Sequence, residues 1–287
     1  MILERADELS ADQQDEVRTL AAAIAVKAGA PPLNDESLLR LGERAPGLVH
    51  LSLRADGDLV GYAQLENGVA ELAVPREEGP QLLDAVEAAA GDALTVWTHG
   101  VRSPVMLLLD SRGYRRTRLL HQLRRPLTDL PPEIPLPEGV TVRPFRVGAD
   151  EDAWLRTNAA AFATHPEQGG WTRADLESRE AEPWFDPAGF FLAWQGETLL
   201  GFHWTKIHPD GAGEVYVLGV DPSAQGMHLG GALLGIGLRH LAERGCPHVL
   251  LYVDDSNVAA VRLYERDGFT RHDLDAQWTK PSSAPSL

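Results

Sequence analysis

The residues best placed to do chemistry together lie in Glu214–Leu234. There a β-branched run ends in Asp221-Pro222, a glycine-rich loop follows, and an apolar helical pattern starts at Leu229. Strand, tight loop and helix start, in that order, bring several unpaired backbone N–H groups and the positive end of a helix dipole to one spot, which suits a phosphate. Glu214 opens the strand at its polar end, where a carboxylate by itself reads as a solvated charge. A second cluster follows at Asp254-Asp-Ser-Asn257, which closes a strand and starts a helix over Val258–Arg266 carrying Tyr264. Tyr264, on an amphipathic helix, reads by itself as a packed aromatic with a satisfied hydroxyl. Cys246, the single cysteine, sits between Gly245 and Pro247 at a helix end. With no His and Asp arrangement beside it, it reads as a packing residue, and one cysteine excludes an internal disulfide.

These residues need a scaffold, and the sequence shows one. Residues 10–28 mix Ala, Ile, Val and Leu with charges at helical spacing behind a Ser10 cap, and Asn34 caps a second short helix through Leu41. Leu48–Leu53 and Leu59–Leu65 form a hairpin about Asp56-Gly57, and Val69–Val74 is a third strand. A helix over Gln81–Ala90, a strand over Leu94–Thr98, a helix over Ser103–Ser111 and a strand over Leu119–Leu123 complete the first half. Pro126, Pro131, Pro132, Pro135 and Pro137 then fix too many φ angles for a helix or central strand, so 126–139 reads as an extended linker. The second half repeats the first: Leu199-Leu-Gly-Phe202 answers Leu59-Val-Gly-Tyr62, Leu218-Gly-Val220 answers Leu72-Ala-Val74, and Arg266-Asp-Gly-Phe269 answers Ser111-Arg-Gly-Tyr114. The expected organisation is an N-terminal domain over 1–125, the linker, and a C-terminal catalytic domain over 140–287. The first copy has Pro75-Arg-Glu-Glu-Gly-Pro80 where the second has its glycine-rich loop, and two carboxylates there would repel a phosphate.

Composition narrows the partners. A net charge of −16 argues against nucleic acid, which wants a Lys and Arg surplus on at least one face. The N-terminus lacks the basic start and apolar core of a signal peptide, and no apolar run reaches about 18 residues, so a cytoplasmic, monomeric enzyme with no membrane partner is expected. No zinc-ligand spacing is present, and no metal is expected.

The order Val-Asp-Pro followed by Gln225-x-x-x-x-Gly230, together with Asn257, Ala260, Tyr264, Gly268 and Phe269, resembles the two hallmarks of the GNAT acetyltransferases. His228, Gly226 and Met227 depart from the usual glycine and arginines of that loop. The resemblance implies an α/β (α+β) fold of two tandem GNAT domains, each a mixed, mostly antiparallel sheet flanked by helices. It also implies acetyl-CoA as cosubstrate and a small-molecule amine as acceptor. His165-Pro-Glu-Gln-Gly-Gly-Trp171, Trp184-Phe-Asp-Pro187 and Gly201-Phe-His-Trp-Thr-Lys206 extend the resemblance to the mycothiol synthase family, which acetylates the cysteinyl amine of a cysteine-glucosamine-inositol pseudodisaccharide.

Carried over from that family, the substrate contacts fall on Glu36, Glu167, Lys206, Glu214 and Tyr252. The acetyl-CoA contacts fall on Leu218, Gly219 and Val220; on Gln225, Gly226, Met227, His228, Leu229, Gly230 and Gly231; and on Asn257, Val258, Ala259, Ala260, Val261 and Arg262. A remnant lies at Leu72, Ala73 and Val74. Glu214 would be the base and Tyr264 the acid. A GNAT enzyme for another small amine and a non-catalytic acyl-CoA-binding regulator remain open as alternatives.

Overall fold

The computed structural model describes residues 1–91, 93–163 and 166–280. Its elements, in chain order, begin with β1 (Ile2–Ala6), α1 (Ala11–Ala28), α2 (Asp35–Leu39), β2 (Leu48–Ala55), β3 (Asp58–Glu66), β4 (Val69–Ala73), α3 (Gly79–Ala90), β5 (Thr95–Thr98), α4 (Pro104–Ser111) and β6 (Arg115–Pro126). They continue with β7 (Val140–Pro144), α5 (Glu151–Ala161), α6 (Pro166–Gly169), α7 (Arg173–Glu180), β8 (Phe190–Gln195), β9 (Thr198–Ile207), β10 (Gly213–Val220), α8 (Leu229–Glu243), β11 (His248–Asp254), α9 (Val258–Arg266) and β12 (Thr270–Thr279). Two compact units result. One comprises Met1–Gln122, Val253–Val258 and the described residues from His272 onward; the other comprises Leu123–Tyr252 and Ala259–Arg271.

In the first unit β1, β2, β3 and β4 are successive antiparallel neighbours, β4 pairs parallel with β5, and β12 pairs antiparallel with β5. Ser10 and Gln13 close a capping box at the start of α1, and Gly29 stops that helix in the left-handed region. One face of the sheet packs Leu51, Leu53, Leu72, Leu82, Val86 and Trp278; the other packs α1 through Val17 and Ile24 against Tyr62 and Ala73. A buried ion cluster lies at the ends of β4 and β5. His99 places Nε2 3.0 Å from Glu71 Oε1 and Nδ1 2.9 Å from Asp275 Oδ2, while the Asn34 and Gly100 amides donate to the same two carboxylates.

The second unit repeats this ladder: β7, β8, β9 and β10 are antiparallel neighbours and β10 pairs parallel with β11. Tyr62 pairs with Ala73 in the first unit, and Phe202, its sequence counterpart, pairs with Gly219, so the internal repeat extends to strand register. The sheet is buried on both faces. Trp154, Phe190, Phe202 and Trp204 pack as an aromatic core under α5 and α7, and Leu200, Leu229 and Leu233 pack under α8. Gly237 in α8 lets β9 approach: a Cβ there would stand 2.1 Å from the His203 ring. Residues after β6 run without regular structure, but they are tied down, with Leu127 N–H donating to Pro247 and Arg239 donating to the Pro131 carbonyl. Cys246 is buried, as a packing residue should be.

The sequence reading gives β1, β7, β8 and β12 no range of their own. β1 has a weak, largely exposed pattern, and β12 acquires its inward Ala276 and Trp278 only by pairing with β5. Residues 253–258 and 272–280, assigned from sequence to the C-terminal domain, therefore group with the first unit. β6 is also longer than the Leu119–Leu123 expected.

Candidate active site

The site is organised by β10. Glu214 is 6% exposed and Lys206, its register partner on β9, is 4% exposed. Directly opposed antiparallel residues point to the same face, so the carboxylate and the ammonium share one end of this ladder. The register then shifts between Val215 and Val217, leaving Tyr216 as the extra residue of a β-bulge. Such a bulge interrupts the ladder and frees backbone donors toward whatever lies alongside. The parallel ladder to β11 holds at Gly213↔Val249 and Glu214↔Leu250 and goes no further, so β10 and β11 part just beyond Glu214. In the first unit the β3–β4 register runs without a shift from Glu66↔Val69 to Tyr62↔Ala73.

Aromatic rings hold the Lys206 ammonium. Its Nζ lies 4.5 Å from the Trp184 ring centroid and 5.4 Å from that of Tyr216. Tyr216 is fixed in turn, because Arg179 Nε donates to its hydroxyl at 3.0 Å and the same guanidinium stacks 3.8 Å over Trp171. On the other side, His208 Nε2 is 2.8 Å from Glu214 Oε2.

Beyond Leu218, Gly219 and Val220 the chain turns on Asp221, whose Oδ1 accepts from the Ser223 amide and hydroxyl. Met227 donates to the Ala224 carbonyl, Gly226 has φ +84°, and His228 precedes α8 with φ +59° and no side-chain cap. The first amides of α8, at Leu229, Gly230 and Gly231, thus open the helix without a side-chain acceptor. Leu229 is buried and anchors the turn, while Gln225 and His228 are exposed. A Cβ at Gly231 would meet only the Cδ1 tip of Ile134, at 2.8 Å. In the first unit the corresponding helix start carries Glu78, whose Oε2 is buried without a hydrogen-bond partner among the described residues. A carboxylate there puts negative charge where the second unit leaves room for an anion.

The remaining sequence candidates are placed as follows. Tyr252 is 38% exposed on β11, two residues past the partner of Glu214 and so on the same strand face as that partner. Asn257 donates its amide to Asp254, and α9 then presents Val258 and Arg262 outward and buries Val261. Tyr264 packs edge-on against Phe269, and burial pushes its hydroxyl up to about 12, which keeps the proton on it at neutral pH. Glu36 lies in the first turn of α2 in the other unit, behind the Asn34 cap. Leu72, Ala73 and Val74 are buried in that unit. Glu167 falls in α6, and its side chain, like those of Ala259 and Pro166, lies outside the described residues. His208, Tyr216 and Arg179 were missed. Period two along the strand was the available signal, since Tyr216 follows Glu214 by two residues and His208 follows Lys206 by two.

A mixed sheet with a bulged central strand, a parted parallel neighbour and an uncapped helix start defines a GNAT-type, acetyl-CoA-dependent acetyltransferase. A family model described as the Acetyltransferase (GNAT) family matches residues 155–269. Among solved structures, a tandem GNAT protein from the clavulanic acid biosynthesis pathway covers 99% of this chain and 100% of its own at 18% identity and a TM-score of 0.72. A GCN5-related N-acetyltransferase from Sphaerobacter thermophilus covers 97% and 95% at 24% identity and a TM-score of 0.67. Among curated proteins, the mycothiol acetyltransferase of Geodermatophilus obscurus is 53% identical over 92% of this chain and 93% of its own. That of Streptomyces coelicolor is 49% identical over 96% and 94%. The chain belongs to the mycothiol acetyltransferase family.

Proposed function

We propose that the protein transfers acetyl from acetyl-CoA to the cysteinyl amine of the cysteine-glucosamine-inositol pseudodisaccharide, the last step of mycothiol biosynthesis, using one working site in the second unit. The observation that carries this reading is the placement of Glu214 beside Lys206 at the point where bulged β10 leaves β11 and leads into the uncapped start of α8. The family's name supports the acceptor. Acetyl-CoA supplies an acyl thioester, and the chain's residues do the rest.

Leu229, Gly230 and Gly231 offer amides to the pyrophosphate, and Leu218–Val220 line the pantetheine arm. Glu214 takes a proton from the substrate ammonium, which leaves the amine nucleophilic. Backbone donors freed at the bulge stabilise the oxyanion that develops on the thioester carbonyl. Tyr264, protonated at neutral pH, returns a proton to the departing thiolate. Glu167, Lys206 and Tyr252 complete the acceptor pocket, a carboxylate and donors suited to an ammonium and many hydroxyls.

The test is acetyl transfer to the cysteinyl pseudodisaccharide, with the product detected by mass. Turnover is expected. CoA binding without product would move the acceptor to another amine, and absence of CoA binding would overturn the site in the second unit.

A further inference from the structure

Glu214 carries the proposed base function but does not stand alone, and its partner is a residue to which nothing in the motif assigns a role. His208 follows the last residue of β9 and opens the turn into β10. Its own amide donates to the Ala212 carbonyl at 2.8 Å, its carbonyl accepts from Gly211 at 2.9 Å, and Asp210 Oδ1 accepts from the Ala212 amide at 3.0 Å. A turn closed by three such bonds holds the imidazole in place. From there Nε2 reaches Glu214 Oε2 at 2.8 Å. The side chains differ in access to water, with Glu214 at 8% exposure and His208 at 28%.

We infer that His208 is the positioning residue of the catalytic base: its Nε2–H, donated to Oε2, orients the Glu214 carboxylate so that Oε1 faces the acceptor amine. This rests on the reading of Glu214 as base. A carboxylate with one oxygen held by a donor keeps its other oxygen in a fixed direction, which is what proton transfer within hydrogen-bond reach requires.

The experiment compares pH profiles of kcat and kcat/KM from pH 5.5 to 9 for the full-length wild type, His208→Gln, His208→Ala and Glu214→Gln, with acetyl-CoA and the cysteinyl pseudodisaccharide. His208→Ala removes the donor and is expected to lower kcat by about tenfold with KM for acetyl-CoA unchanged. His208→Gln restores an N–H and is expected to recover part of that loss, to within about threefold of wild type. Profiles of both His208 variants that superimpose on wild type, with Glu214→Gln impaired, would overturn the role of His208 alone. A Glu214→Gln profile equal to wild type would overturn the reading of the base and the positioning role with it.

Discussion

His228 stands at the start of α8 with φ +59°, in a region where a side chain's Cβ crowds the following carbonyl. It is exposed and makes no side-chain cap bond to offset that strain. The left-handed conformation costs a non-glycine residue about 1–2 kcal/mol. Glycine removes this cost but loses about 0.5–1 kcal/mol more chain entropy on folding, leaving a net gain of about 0.5–1 kcal/mol for His228→Gly. At about 2–4 °C per kcal/mol for a domain of this size, the thermal midpoint should rise by about 1–4 °C. His228→Ala is the control. It keeps the strained φ and loses only an exposed ring, so it should melt within about 0.5 kcal/mol of wild type. Thermal and urea unfolding of the full chain would measure both, and CoA titration adds a second readout. Because the backbone rather than the imidazole aims the first amides of α8, the glycine variant should bind CoA at least as well as wild type. Equal midpoints for the glycine and alanine variants would refute the strain argument, and a tenfold weaker CoA affinity in the glycine variant would refute the assignment of anion binding to the loop's conformation.

Other consequences can be checked alongside. Glu214→Gln should lower turnover most at low pH, where the acceptor amine is charged and needs a base; an equal loss at every pH would contradict that role. His99 is buried between Glu71 and Asp275, and although burial opposes its charge, the two carboxylates push its pKa up to about 10. A group raised above its unfolded value of about 6.5 stabilises fully below that pH and progressively less as pH rises toward 10, so urea midpoints should fall between pH 7 and 10. His99→Gln should flatten that dependence and destabilise the chain by about 3–5 kcal/mol at pH 7 by uncoupling two buried carboxylates. Glu180 is pushed up to about 7 by burial first and then by Glu151 and Glu177. A raised carboxyl favours the folded state when protonated and opposes it when ionised. Glu180→Gln should therefore raise the unfolding midpoint at pH 8 and leave it nearly unchanged at pH 5.

What the sequence determined by itself was local chemistry and its repetition. Short-range signals such as the Ser10 cap, the Asp56-Gly57 turn, the prolines after β6 and the strand, loop and helix around Asp221 act within a few residues, and each stands where it was expected. The internal repeat was also legible, because equivalent strands must bury equivalent residues, and it was enough to pair Tyr62 with Phe202 as counterparts. Tertiary structure decided everything that depends on which distant segments meet. β12 has no inward face until β5 lies beside it. The bulge at Tyr216 exists only in the register of β10 against β9. Lys206 becomes a caged cation only when Trp184 and Tyr216 converge on it, and Glu214 gains His208 only because a five-residue turn folds β9 back on β10. A residue's type and spacing set what it is able to do. Its partners are set by cross-strand contacts whose energies no local pattern encodes.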